Sequence, residues 1–243
     1  IYLYGNMDME EKLAFLDEHY LSHFDYLDVD SVIQEQKAFG ACRDVTLEYP
    51  VAENEGEEDN TYLSYNMVVG NAADSQMAMA FEVLDYALLS APGAPLKQAL
   101  LDVKAGKDVY GSYDDGILQP YFTVIAKGSN PDRKEEFVSV IRQVLGDIVK
   151  NGIDRKAVEA GINYFEFRYR EADFSSYPKG LMYSLDILGD WLYEEDHPFS
   201  QVQQLEVFEQ LKKAVNEGYF ENLIRTYLLE NPHGCVLTLV PKK

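Results

Sequence analysis

Two imidazoles one helical turn apart are the first candidates for chemistry. Glu18-His19-Tyr20-Leu21-Ser22-His23 sets His19 and His23 at i and i+4, a spacing that two zinc ligands can use. Hydrolytic zinc helices also need a glutamate between the histidines or beside the second, to take the proton of the metal-bound water. Here Tyr, Leu and Ser intervene, and the pair borders an apolar stripe. His19 and His23 therefore read as half-exposed helix residues. His197 precedes Pro198 in a loop and His233 sits in the turn Asn231-Pro232-His233-Gly234, so both read as local hydrogen-bonding groups.

Nucleophiles and phosphate loops fare no better. The chain has no G-x-S-x-G elbow, no G-x-G-x-x-G and no P-loop pattern. Ser175-Ser176 follows a helix with no histidine near it in sequence. Asp114-Asp115 are paired carboxylates, but Asp-Asp-Gly is also ordinary turn chemistry. The densest polar patch is Arg168 to Tyr177, where charges alternate with aromatic rings at a helix end. Glu166 can pair with Arg170, and Arg168 with Glu171, at helical spacing. Such a patch suits either a solvated helix end or a peptide-binding wall. The residues themselves give no catalytic set and no metal set.

The elements that must position these residues centre on 107–150. Two runs rich in Val, Tyr, Ile and Phe flank Asp114-Asp115-Gly116, which reads as a hairpin. Asn130-Pro131 then opens a helix whose Phe137, Ile141, Val144 and Ile148 share one face, and Gly152 ends it. A hairpin followed by a helix that covers it is one sheet face being closed. Upstream, Ile1–Tyr4 reads as a short strand. Asp8 and Glu11 form a D-x-x-E capping box for a helix with Leu13, Leu16, Tyr20 and Phe24 on its buried face. Strands are expected over Ala41–Val51 and Thr61–Gly70, the latter central, with the acidic connection Ala52–Asp59 between them expected to be mobile.

Asp74 caps a helix running to Ser90. After APGAP a short helix starts at Leu96, and Asp154 caps a long one to Ala172, with Ile153 and Val158 as a hydrophobic staple. Further helices are expected over Lys179–Glu194, Gln201–Asn216 and Tyr219–Leu229, before a last strand Cys235–Val240. This order implies an α+β fold. Its sheet is mixed but largely antiparallel, of about five to six strands, with helices packed mainly on one face. No linker of distinct composition divides the chain, so residues 1–243 read as a single domain.

Composition narrows the partners. Of 243 residues, 47% are hydrophobic and 13% aromatic, enough for a sizeable core. The 42 acidic against 21 basic residues give a formal charge of −21, which disfavours nucleic acid and anionic membranes and permits attraction of basic peptides. No apolar run approaches the roughly 18 residues of a membrane span. Cys42 and Cys235 read as reduced core thiols, consistent with a cytoplasmic, bacterial-type protein. The opening IYLYGN, already strand-like, suggests a piece of a longer polypeptide.

Four stretches carry a resemblance: Leu89–Leu101, Tyr110–Asp132, Asn163–Leu188 and Asn231–Pro241. With them the chain resembles, over nearly its whole length, the pitrilysin/insulinase superfamily of zinc metallopeptidases, and within it the presequence-protease branch. The resemblance implies the second, non-catalytic domain of such an enzyme, with a metallopeptidase-like α/β roll. Zinc, held by an inverted H-x-x-E-H motif, would belong to the neighbouring catalytic domain. This segment has no such motif, so no catalytic residue and no metal ligand is assigned in it, and no cofactor. The implied partners are that catalytic domain, the C-terminal half of the same polypeptide, and a peptide held in the chamber between the halves. Arg170, Glu171, Phe174, Tyr177, Leu181 and Leu185 are the expected chamber-facing residues. The alternative function is an inactive scaffold or adaptor of the same fold.

Overall fold

The computed structural model describes every residue except 173, 194 and 195 and, for Asp190, the backbone alone. Five strands form one open sheet: β1 (Arg43–Pro50), β2 (Thr61–Val68), β3 (Asp108–Asp114), β4 (Tyr121–Ser129) and β5 (Gly234–Lys242), in the spatial order β1-β5-β2-β4-β3. β1 runs parallel to β5; the β5–β2, β2–β4 and β4–β3 pairs are antiparallel. The sheet is therefore mixed and largely antiparallel, with β2 central as its two-sided apolar run implies.

Eight helices accompany the sheet among the described residues: α1 (Met9–His19), α2 (Ser75–Asp85), α3 (Pro95–Asp102), α4 (Lys134–Asn151), α5 (Arg155–Glu171), α6 (Lys179–Trp191), α7 (Leu205–Ala214) and α8 (Tyr219–Leu223). α2 and α8 each continue into a π-helical turn, Tyr86–Ser90 and Ile224–Leu229. The helices gather on the sheet face that carries Leu63, Tyr65, Met67, Val109, Phe122, Val124 and Val236. Phe81, Leu84, Phe137, Ile141, Leu145, Ile162, Phe208 and Phe220 complete that core, all at most 1% exposed. Tyr65 joins the layers by polar means as well: its hydroxyl donates to the Leu228 carbonyl at 2.7 Å inside the core. At Gly111 the π-helical turn comes so close to β3 that a Cβ would lie 2.2 Å from Leu89 Cδ1, so the position needs glycine.

The hairpin-plus-helix unit forms as its sequence implies, with two differences. Its connection spans residues 115–120 rather than a tight Asp-Gly turn. Pro131–Arg133 is a separate 3-10 turn before α4, and the Asn130 side chain does not cap it. Asn130 is used elsewhere: its Nδ2 donates to Asp59 Oδ1 at 2.7 Å, and its Oδ1 accepts from the Asp59 amide at 2.9 Å. With Lys107 3.5 Å from Asp59 Oδ2, this fastens one end of the acidic connection that composition alone marked as mobile. Gly152, at φ 94°, ends α4 by donating its amide to the Ile148 carbonyl. Asp154 caps α5, and Ile153 and Val158 are both buried beside the cap. The Lys179–Glu194 helix ends at Trp191, its expected end Glu194 lying outside the described residues. The expected Gln201–Asn216 helix is shortened to α7 by a preceding 3-10 turn, Ser200–Val202.

The first residues depart most from expectation. Ile1–Tyr4 is not in a strand; Tyr4 instead lies against α6, over Gly180 and near Tyr183. α1 forms with its expected cap, the Asp8 carboxylate accepting from the Glu11 amide at 3.1 Å, yet it buries no residue. Of the four residues read as core-facing, Leu16 is half-buried, Leu13 and Tyr20 are 58% and 54% exposed, and Phe24 is 77% exposed.

Candidate functional site

Where the end of the hairpin meets α2, α5 and α6, the fold leaves a cavity of about 340 Å³. Its apolar wall includes Phe165 and Tyr169 from α5, Phe174 just beyond it, and Leu185 from α6. Three carboxyl groups from separate elements converge on it: Glu82 from α2, Asp115 from the β3–β4 connection and Asp186 from α6. Burial pushes the Glu82 carboxyl up from 4.5 to about 7, with the charges of Asp115 and Asp85 adding to the effect and Arg168 opposing it. Burial likewise raises Asp115 and Asp186 above the ordinary aspartate value, with Asp114 adding at the first and Asp115 at the second. The Tyr113 hydroxyl, raised by burial and then by Asp115, Glu82, Asp74 and Asp114, stays protonated. Chemically, Glu82 can hold a proton near neutral pH, and the site can accept hydrogen bonds from a basic group.

Outside this cavity Glu166 is the hub of a second polar group. Its Oε1 lies 2.6 Å from Arg170 Nη2 and its Oε2 2.6 Å from Lys212 Nζ, which joins α5 to α7. Hydrogen bonds from Lys212 and then Arg170 hold the Glu166 carboxyl below its ordinary value. The i,i+4 pairing of Glu166 with Arg170 is as the sequence spacing implies, whereas Arg168 stands over the Tyr164 ring, 5.7 Å from its centre.

The six expected wall residues are thus distributed over neighbouring surfaces. Phe174 and Leu185 line the cavity. Glu171, Phe174 and Tyr177 border an open hollow beside it. Arg170 is engaged by Glu166, and Leu181 is an exposed residue of α6, 49% accessible. Asp173, within the same polar patch, lies outside the described residues. Sequence reasoning missed Glu82 and Asp186 and read Asp115 as turn chemistry only. A signal for the first two was present: each is a lone acid inside an apolar helical run, AMAFEVL and SLDIL.

Among the described residues no group of three or more His, Cys, Asp or Glu side chains could hold a metal ion. His19 packs its ring on Phe15, 4.5 Å between centres, and His233 is buried against Phe39 at 4.6 Å. Burial first, then Arg43, lowers the His233 value. Cys42 and Cys235 are free thiols, half-buried rather than deep in the core. The described residues therefore do not fit a zinc site. No helix among them is long and apolar enough to cross a membrane.

Residues 1–165 match the family model described as the peptidase M16 inactive domain. The chain belongs to the M16 peptidase family. Protein HypA of Clostridium perfringens is 42% identical over 243 residues, covering 100% of this chain and 25% of its own length. Presequence protease 1, chloroplastic/mitochondrial, of Arabidopsis thaliana is 29% identical over 249 residues, covering 99% of this chain and 23% of its own length. A protease from Helicobacter pylori has the same fold, with a TM-score of 0.66 at 15% identity, over 97% of this chain and 53% of that one. The M16 domain thus spans about a quarter of the length of the curated relatives it matches. Its likeness to presequence proteases agrees with the resemblance carried by Tyr110–Asp132 and Asn163–Leu188.

Proposed function

We propose that this M16 inactive domain is a wall of the peptide chamber of a zinc metalloendopeptidase that degrades unfolded peptides. The hydrolytic zinc is held by a neighbouring catalytic domain of the same polypeptide. The observation that carries this reading is the end-to-end alignment with presequence proteases, which covers 99% of this chain and only 23% of the Arabidopsis protein. The domain packs beside the catalytic domain and faces the C-terminal half. Its peptide-facing surface is the strip Arg170, Glu171, Phe174, Tyr177, Leu181 and Leu185 around the cavity. Tyr177 and Leu185, 62% and 53% exposed, offer apolar contact to an extended chain, while the acids beneath and the net charge of −21 favour basic segments. A cytoplasmic setting is part of the same reading, and the two half-buried thiols are compatible with it.

The test uses the full-length polypeptide and an unfolded basic peptide. The double substitution Tyr177→Ala and Leu181→Ser is expected to raise KM severalfold while zinc content and kcat stay at parental levels. Unchanged KM would remove the strip from the chamber. A full-length polypeptide with neither zinc nor peptidase activity would favour the inactive scaffold.

A further inference from the structure

About half of the exposed large apolar side chains of the described residues lie within residues 1–33, one-seventh of the chain. They are organised rather than scattered. Met9, Leu13 and Leu16 fall at i, i+4 and i+7 on one side of α1, with Tyr20 just past its end; Met9 and Leu13 are exposed and Leu16 half-buried, while Glu11 and Glu18 lie opposite and Glu10 and Asp17 on the flank. Among the described residues, each recorded hydrogen bond, ion pair and ring contact of residues 5–34 stays within that segment: Asp8 with Glu11, Lys12 with Glu11, Phe15 with His19 and Tyr20, Ser22 with Glu18.

The segment is anchored only at its two ends. Tyr4 lies on Gly180 and near Tyr183, 6.0 Å between rings. From Glu35 onward the chain is tied down again: Glu35 accepts from Asn71, the Gln36 amide donates to Gln119 at 2.6 Å, and Phe39 packs on His233 under the Arg43 guanidinium. Between those anchors an 11-residue helix, below the length at which isolated helices persist in water, displays most of its apolar side to solvent. One cap, worth about 1 kcal/mol, does not offset that. A sequence that specifies a cap, a stripe and an opposite charged face specifies a buried helix, and the surface that buries it is not supplied by residues 39–243.

We infer that residues 1–33 are a docking arm whose apolar stripe packs into a neighbouring module of the same polypeptide, so that the self-contained fold of this chain begins near Phe39. The occupant follows from length: the relatives that match this chain from end to end extend over about four times its span, so a covalently linked module is always at hand. A linked partner docks at an effective concentration that a free one seldom reaches. The acidic outer side of α1 disfavours pairing of two copies of an already strongly acidic chain. The inference rests on the reading of this chain as one module of a longer peptidase, but not on that protein's catalytic competence.

Hydrogen–deuterium exchange decides it. In the full-length polypeptide, amides of residues 12–20 are expected to exchange at least about 100-fold more slowly than in the 243-residue chain alone. Leu13→Asp should abolish that protection and lower the first melting transition of the full-length protein, while the 243-residue chain melts unchanged. Fast exchange of α1 in both proteins would overturn the inference. So would protection that grows with the concentration of the 243-residue chain, which would make a second copy the partner. Protection that persists in a full-length protein without peptidase activity would sink the chamber reading and leave the arm in place.

Discussion

α1 and α4 are both amphipathic helices announced by their sequences, and they end up in opposite environments. α4 has acidic residues in its first turn, a glycine stop, and Phe137, Ile141 and Leu145 with 0%, 0% and 1% exposure. α1 has a side-chain cap that α4 lacks and a shorter, weaker apolar stripe, and it buries no residue. The difference is not in helix propensity or capping. It lies in what the chain places next to the stripe: α4 follows a hairpin that supplies the sheet face to cover, whereas α1 is joined to the sheet by some twenty residues of irregular chain. Periodicity therefore reports that a helix has a buried side; it does not report whose surface does the burying.

The largest effect that would break this comparison is a pair of truncations. Ile141→Ala removes a fully buried side chain at the centre of the α4 interface and should destabilise the chain by about 2–5 kcal/mol, the cost of lost burial plus a cavity. Leu13→Ala at the equivalent place on α1 should change stability of the 243-residue chain by less than about 0.5 kcal/mol, as for other exposed positions. Denaturant melts of the two variants check it. Equal losses would mean that α1 is packed in solution, and the contrast between the helices would disappear.

Next in size is a pH effect confined to the well-packed region. Glu82 sits on α2, facing the cavity, with its carboxyl pushed from 4.5 to about 7 by burial. Between those values the unfolded chain has lost this proton and the folded chain still holds it. The native state therefore binds more protons, and stability falls as pH rises from about 4.5 to about 7, by up to about 3 kcal/mol. Asp115 and Asp186, also raised by burial, add slope of the same sign starting from lower pH. Glu82→Gln should flatten the upper part of the curve. Thermal melts from pH 4.5 to 8 measure it, and a variant as pH-sensitive as the parent would assign the slope elsewhere.

The sequence was a good guide where local signals and tertiary partners lie close together in the chain. The hairpin unit, the Asp154 cap with its Ile153/Val158 staple, the Gly152 stop and the Glu166–Arg170 pair are all found as their spacings imply. It was a poor guide where the outcome depends on distant residues. Asn130 reads as a helix cap but is taken by Asp59, 71 positions away, and Lys212 joins Glu166 from another helix. The candidate site was legible only in part for the same reason. Phe174 and Leu185 were in view, but the three acids that face them come from α2, the hairpin connection and α6, and only the folded chain shows them to be neighbours.

The smallest effect sharpens the comparison most, because it isolates the caps from the surfaces. Asp154 Oδ1 accepts from the amides of Lys156 and Ala157, and Asp8 Oδ1 from that of Glu11, so each carboxylate satisfies the start of one helix. Asp154→Ala should cost about 1 kcal/mol of global stability, because α5 is packed through Val158 and Ile162 and cannot fray without disturbing the core. Asp8→Ala should leave the melt of the 243-residue chain unmoved and lower only its helical circular dichroism, because α1 can unfold while the sheet and the other helices stay intact. If α1 docks in the full-length polypeptide, the same Asp8→Ala substitution there should acquire a stability cost of about 1 kcal/mol, measured in parallel denaturant melts. Two chemically equivalent caps, one with a fixed cost and one whose cost depends on the rest of the polypeptide, would separate what a helix gains from its own ends from what it gains from the surface it lies on.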